Sequence, residues 1–485
     1  MNSLSSENVH REKGDAAADN KTYDFCVVGG GVSGLYFAKM LHERAPSMTT
    51  CAVLEADPHR FGGRAQMFDF GGTMVVEGAG VARVGKDVRL LKLAREMSAC
   101  KEIKHARIEY ASTLKTTHKK ATQFIKGALA RLRKEYESAS PSERERVARH
   151  QTFSRYARKV LGDAGYERFR ALIGFTDYES ASVYDTLYDY DFDDNYTDLR
   201  KKPKVAAINW EALVDGLVRA AIHDARYFVT KDARVTCVRR VTHQEEDGHC
   251  NFLVQYRSRS SKSPVQTLAC RRIVFATASR AIVKLRPELS GITRELRPQS
   301  FLRAYARVDR SASAEFQKAI KTYTVVPGPL QKIIPIDVEE GVYMVAYSDN
   351  ESADLLYRMG FGRTKSTCNQ RLKQRMCRLI CRSLGLRENV DIHSSLLRIT
   401  DLVVFYWRGG THYYRPSASA ESGVSRDLFL RRTLFPESHV TVLGEGFSRD
   451  QGWTEGALQR VEDAFFSKDA CPGASMPVKK TNKRI

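Results

Sequence analysis

Hydrophobic and polar positions divide the chain into stretches of different period. The segment YDFCVVGGGVSGLYFAKML opens with a short apolar strand over 25–28, turns through glycines, and continues with apolar residues at helical spacing. CAVLEA is a second strand, ending at Glu55. FDFGGTMVVEGAG alternates into a strand pair, and a helix succeeds it over 87–97. From 101 to 203 the β alternation fades. Apolar positions there recur at helical spacing through Phe124, Ala128 and Leu132, and again through Tyr156, Val160 and Leu161, with Pro141 breaking the run. INWEALVDGLVRAAIHDA predicts an amphipathic helix with Asn209 as N-cap and Leu213, Leu217 and Ala221 facing inward. ARVTCVRRV, CNFLVQY and ACRRIVFATAS read as strands, as do FLRAYARVD, YTVVP, KIIPID and GVYMVAYS. A helix is expected over 366–384, and the chain closes with a strand over 440–443 and a helix opening at 453–457.

The first glycine turn carries chemistry. Gly29, Gly31 and Gly34 have the G-x-G-x-x-G spacing between a strand and a helix. The first glycine allows the tight turn, the second gives a pyrophosphate access to backbone, and the third lets helix and strand pack closely. Glu55 lies 21 residues beyond Gly34, where an acid accepts hydrogen bonds from a ribose hydroxyl. Strand, turn, helix, strand and acid in this order indicate a bound adenine dinucleotide.

The residues just after Glu55 select among dinucleotide proteins. LEADPHRFGGRAQ, with Arg60, Gly63 and Arg64, resembles the LEA…R-x-GGR segment of the flavin-containing amine oxidase superfamily. A second resemblance lies near the other end of the chain. HVTVLGEGFSRDQGWTEGALQRVEDAF is similar to that family's closing motif, a strand ending in A-G-E followed by x-x-E-G-A on a helix. The resemblance implies an α/β protein in which a discontinuous Rossmann-type FAD-binding domain is joined to an α+β substrate domain with a helical insertion. FAD would occupy 22–100, 204–298 and 400–468; the substrate half would take 101–203 (helical part) and 299–399 (sheet part). Residues 1–21 read as a disordered lead-in and 469–485 as a basic tail.

The resemblance also implies roles. Arg60, Gly63 and Arg64 would cradle the FAD pyrophosphate, Gly80 in Glu77-Gly78-Ala79-Gly80 would lie beside the flavin ring, and the backbone at Val235 would meet the adenine. Gly444 and Glu445 would face the ribityl and phosphate region. Thr454 would open the last helix toward the flavin pyrimidine, where a helix dipole favours negative charge on the reduced ring. Family members place a lysine that holds a water near the flavin on the strand where this chain has Arg303, a group that does not titrate near neutral pH. Of the two facing aromatic residues of monoamine oxidases, Trp453 keeps one, and His412 stands in YWRGGTHYYRP at the other. His412 is a candidate acid or base, and a structural role is equally open to it. Thr411 occupies the position of the cysteine that carries FAD in some members, so noncovalent FAD is expected.

Composition adds limits. Among 485 residues, 42% are hydrophobic, enough for more than one core, and no run of about 18 apolar residues suggests a membrane span. Residues 1–20 lack the apolar stretch of a secretory signal. The ten cysteines have neither CxxC nor Cys/His ligand spacing, so they read as reduced thiols of an intracellular protein, with no metal site expected. The net charge of +21 gathers in 115–159 and in the tail Lys479-Lys480-Thr481-Asn482-Lys483-Arg484, without aromatic interleaving. A solvated helical face is favoured over a polyanion or nucleic-acid surface, and the location expected is cytoplasmic, the tail being compatible with a nuclear address. The acidic stretch with Asp185, Tyr188, Asp189, Asp191, Asp193 and Asp194 reads as an exposed loop rather than an amine-attracting patch.

Three functions fit. The first is an FAD-dependent amine oxidase acting on a small amine, polyamine or amino acid, with oxygen reoxidising the flavin to give hydrogen peroxide. The second is a flavoenzyme of the same fold with another oxidation or desaturation. The third is a catalytically weak flavoprotein that binds a partner through its basic surface.

Overall fold

The computed structural model describes residues 21–104, 106–190, 192, 204–222, 225–241, 251–260, 263–362, 369–386 and 397–466. The first strand, Thr22–Val28, lies between Cys51–Leu54 and Gln266–Phe275, parallel to both. Val440–Val442 adds parallel to Gln266–Phe275, and Tyr227–Thr230 adds parallel to Cys51–Leu54. An antiparallel pair, Arg234–Arg240 and Phe252–Arg257, extends the sheet to seven strands.

The apolar runs of the central strands follow from burial on both faces, as parallel sheets require. Phe25, Val27, Cys51 and Val53 pack with Phe37 and Leu41 of the helix Val32–Arg44 and with Val461 and Phe465 of the helix Thr454–Phe466. Cys26, Val28, Ala52 and Leu54 point the other way, onto Phe252, Val254 and Phe447. The N-terminal and C-terminal helices thus cover one face together, which brings the two ends of the described chain into one unit.

A second sheet of six strands is built around the antiparallel pair Leu296–Val308 and Ile399–Tyr414. It therefore takes in residues up to Tyr414, beyond the 399 boundary expected from sequence. The helices Asn350–Arg358 and Gln370–Leu384 cover one face, burying Leu356, Met376 and Ile380 against Leu302, Ala304 and Tyr343. On the other face Tyr305, Met344 and Phe405 meet Phe70 and Val75 of the hairpin Met67–Phe70 and Thr73–Val76. Tyr305 donates its hydroxyl to the carbonyl of Val76 at 2.7 Å. This hairpin, contributed by the dinucleotide half, joins the two sheets.

The stretch after residue 101 starts with short strands, Cys100–Lys104 and Glu109–Tyr110, before the expected helices begin. His118–Ser138, Pro141–His150, Phe153–Leu161 and Asp163–Ile173 come next, with Ser140 and Thr152 capping the second and third. Pro141 ends one helix by starting the next: it occupies the first turn, where its missing N–H costs nothing. These helices share a core of Phe153, Phe169, Tyr178 and Phe192.

The acidic stretch differs from its expectation as an exposed loop. Val183–Tyr188 is a helix, and buried Asp185 takes a forked pair of bonds from Arg426, which is 0% exposed. A buried cation from a distant helix, Gly423–Leu434, recruits the acid inward. Asp189 pairs with Arg449, while Asp191, Asp193 and Asp194 lie outside the described residues. Asn209 caps Trp210–Ile222 as expected, its Oδ1 accepting from the Ala212 N–H at 3.1 Å. The basic helices carry exposed pairs such as Arg146–Glu143 and Arg158–Asp163, in keeping with a solvated face. No described helix is long and apolar enough to cross a membrane.

Candidate functional site

The glycines of the first turn divide their tasks by geometry. Gly29 has φ +111°, and a Cβ there would stand 2.6 Å from the Ala276 carbonyl oxygen. A Cβ on Gly34 would come within 2.0 Å of the Gly29 oxygen. Gly31 is different, because the nearest atom to an added Cβ is the Gly62 oxygen at 3.9 Å. It precedes Val32–Arg44 without a capping side chain, so the helix presents bare N–H groups to open space.

Glu55 comes directly after its strand and is pinned beside this turn. Its Oε2 accepts from Gly30 N–H at 2.7 Å and its Oε1 from Asp57 N–H at 2.8 Å. The Ala233 N–H donates to the Glu55 carbonyl at 2.7 Å, which brings the strand carrying half-buried Val235 close to the acid.

The second glycine segment docks onto the first through the Gly62 N–H, which donates to the Gly30 carbonyl at 2.9 Å. Gly63, with φ +59°, faces Gly31, its added Cβ falling 3.7 Å from the Gly31 Cα. The two arginines here are held by acids. Arg60 forks onto buried Glu77 at 2.7 and 2.9 Å. Arg64 donates through Nη1 to Glu445 Oε1 and to the Gly410 carbonyl, both at 2.7 Å.

Glu445 is the hub of the closing motif. Its Oε1 also meets His412 Nδ1 at 2.7 Å, and its Oε2 accepts from Gly452 N–H at 2.9 Å. Burial alone would push its carboxyl up, but His412 and Arg64 hold it far below the usual carboxylate range. Gly444, with φ +110°, opens onto free space: an added Cβ would meet nothing within 4 Å. Thr454 starts the last helix, where Glu455 accepts from the backbone N–H groups of Arg89 and Leu90, and a Cβ on Gly456 would lie 2.0 Å from the Asp450 oxygen.

His412 and Trp453 make separate contacts. His412 is 5% exposed, engaged by Glu445, with its Nε2 3.4 Å from Ser279 Oγ. Trp453 packs edge-on to Trp210 at 6.4 Å, and its Nε1 is buried without an acceptor. Strand alternation explains the difference, since His412 and its neighbour Thr411 point to opposite faces. Thr411 lies toward Gly452, where an added Cβ would be 3.5 Å away, and its Oγ1 is also buried and unpartnered.

Arg303 lies in the seam between the halves. It is 3% exposed, and a Cβ on Gly80 would stand 3.2 Å from its Nη2. Its guanidinium sits 4.7 Å from the Tyr347 ring centroid and 5.5 Å from that of Phe301. Sequence reasoning missed two tryptophan contacts to the turn carrying Gly80. Trp210 Nε1 donates to the Gly80 carbonyl at 3.1 Å and Trp407 Nε1 to the Glu77 carbonyl at 3.0 Å. The rarity of tryptophan, three in the chain, was the available signal, since all three gather here. Lys332 was also missed: KIIPID reads only as a strand, yet its lysine is fully buried.

These features fit a dinucleotide. Gly31, Gly63 and Gly444 leave an open backbone cradle, a helix N-terminus faces it, and buried polar atoms of Thr411, Trp453 and Gln299 lack protein partners.

Residues 27–95 match the model of an NAD(P)-binding Rossmann-like domain. No curated protein matches the chain in sequence. Among solved structures, the chain is similar to three putrescine oxidase mutants from a structure-based redesign of cofactor binding. The single mutant is 13% identical with a TM-score of 0.62, the triple mutant 14% with 0.63, and the double mutant 12% with 0.61. Each superposition covers 91% of this chain and 97% of the other. The chain thus combines an NAD(P)-binding Rossmann-like domain over residues 27–95 with the overall fold of the putrescine oxidase structures.

Proposed function

We propose that the protein is an FAD-dependent oxidoreductase, and more specifically an amine oxidase that takes hydride from a carbon next to an amine, with oxygen as the final acceptor and hydrogen peroxide as product. The observation that carries this reading is the convergence of the Gly29–Gly34 turn and the Gly444–Glu445 turn, from opposite ends of the chain, on one open cradle bridged by Arg64. FAD, when bound, supplies the two-electron acceptor.

The chain's own residues supply the rest. Gly29, Gly31, Gly34 and Gly63 give backbone access for the pyrophosphate, and Glu55 is pinned where a ribose would lie. Arg60 and Arg64 keep cationic charge at the cradle while their acids fix its position. Val235 is assigned to the adenine end, Gly80 and Thr454 to the flavin ring, and Gly444 with Glu445 to the chain between them. Trp453 walls the substrate side and excludes water. His412 holds Glu445 as a positioning residue, and Arg303 is the cation nearest the Gly80 turn. Thr411 offers no thiol, so attachment is noncovalent. The partners are a small amine and oxygen, in an intracellular setting.

A second reading is a same-fold flavoenzyme with a different oxidation. It is favoured by Arg303, a guanidinium that cannot exchange protons as a lysine would. Anaerobic mixing of the flavin-loaded protein with amines, amino acids and donors that lack an amine separates the two. Bleaching by an amine, with colour and stoichiometric peroxide returning in air, is the expected result. Bleaching only by donors that lack an amine would replace the first reading with the second.

A further inference from the structure

We propose that Arg303 and Lys332 form an anion-binding site in the substrate half, so that the amine oxidised here carries a carboxylate and is not a diamine or polyamine. The inference rests on the proposed function for its place beside the flavin.

The two cations come from different strands and converge on one ring. Arg303, on Leu296–Val308, and Lys332, the first residue of Lys332–Asp337, each lie 4.7 Å from the Tyr347 centroid. Lys332 Nζ also sits 2.7 Å from the Phe175 centroid. Phe175, Tyr347 and Phe301 form an edge-to-face series with centroids 5.7 and 5.2 Å apart. The three rings are half-buried, whereas Arg303 is 3% and Lys332 0% exposed.

Each cation keeps an unmet donor. Lys332 Nζ and Arg303 Nε have no hydrogen-bond partner, while the Tyr305 and Tyr347 hydroxyls engage the rest of the Arg303 guanidinium. Among the described residues neither cation has a carboxylate within ion-pair distance. The two acids nearby are committed elsewhere. Asp349 accepts from Thr176 N–H, Thr176 Oγ1 and Gln331 Nε2. Asp177 accepts from Tyr190 Oη, and burial together with Asp349 pushes its carboxyl up to about 7.

A buried cation without a counterion is costly, and such groups mark places where a ligand completes the charge balance. Burial pushes the Lys332 ammonium well below its ordinary range, and an arriving carboxylate would restore its charge. Two cationic groups, one a guanidinium with directed donors, suit a carboxylate. The aromatic series suits an apolar body attached to it. A diamine would bring a second positive charge to the same place.

The test is calorimetric titration of the purified full chain with 3-phenylpropionate and, separately, 1,4-diaminobutane. Saturable carboxylate binding is expected, weakened about tenfold or more in Arg303→Met and in Lys332→Met, with the diamine binding at least about tenfold more weakly. Tighter binding of the diamine, no carboxylate binding, or undiminished carboxylate binding in correctly folded variants would overturn the proposal. The wild-type comparison of the two ligands stands even where a variant does not fold. The flavin absorbance of the same sample separates the two readings: carboxylate binding without any flavin would remove the proposed function and leave the anion site in place.

Discussion

Glu445 shows how one side chain ties the site together, because it receives Arg64, His412 and the Gly452 amide at once. Its folded-state carboxyl lies below the unfolded value, so its contribution to stability is complete above the ordinary carboxylate range and is lost as pH falls through that range toward the folded value. Glu445→Gln should therefore cost about 3 kcal/mol at neutral pH, and the gap to wild type should shrink below about pH 4. Denaturant unfolding of both proteins across that interval checks it; a gap that grows on acidification would contradict the assignment. The glycines make a paired prediction. Gly34→Ala places a methyl 2.0 Å from a backbone oxygen and should cost about 1–3 kcal/mol or more, seen as poor soluble yield. Gly31→Ala meets only an oxygen at 3.9 Å, so the protein should fold with wild-type stability yet bind FAD about tenfold or more weakly. Sequence spacing revealed these glycines because a side chain at Gly34 would strike backbone and one at Gly31 would cover the backbone offered to a ligand. It did not reveal the Arg60–Glu77 fork or the His412–Glu445 pair, since a charge names no partner until the chain has folded.

At the scale of elements, periodicity located most strands and helices, and caps such as Asn209 fixed their starts. Contacts distant in sequence produced the departures. The Asp185 helix reads as a loop because its carboxylates look solvated; the buried Arg426, 241 positions away, and the hydroxyl of buried Ser182 hold Asp185 inward. Arg426 also meets Glu295, so one guanidinium links the helical part, the second sheet and the helix Gly423–Leu434. Arg426→Leu should leave these acids uncompensated and cost about 3–5 kcal/mol. Adding Asp185→Asn should recover part of the loss, and a double-mutant cycle by denaturant unfolding measures the coupling. Strictly additive effects would show that the pair is not a joint.

For the whole molecule, the two ends of the described chain fold into one sheet-and-helix unit, and a second sheet with its helices packs against it. That arrangement was legible through the family resemblance carried by two motifs far apart in sequence, the Gly29–Gly34 turn with Arg64 and the closing Gly444–Ala457 segment. The cluster proposed as an anion site was not legible: Lys332, Tyr347 and Phe175 come from three separate segments and carry no motif. Arg146, Arg149 and Arg158 of the basic stretch sit in surface ion pairs, which leave the net charge of +21 unchanged, and nothing among the described residues supports nucleic-acid contact.

Whether the open cradle holds FAD is tested most directly by the absorbance spectrum of the purified protein, with acid release and chromatography of whatever is bound. A flavin band near 450 nm, roughly, with FAD freed intact by denaturation, is the predicted result. A colourless protein that takes up no FAD when it is supplied would contradict the assignment of the cradle to a flavin dinucleotide.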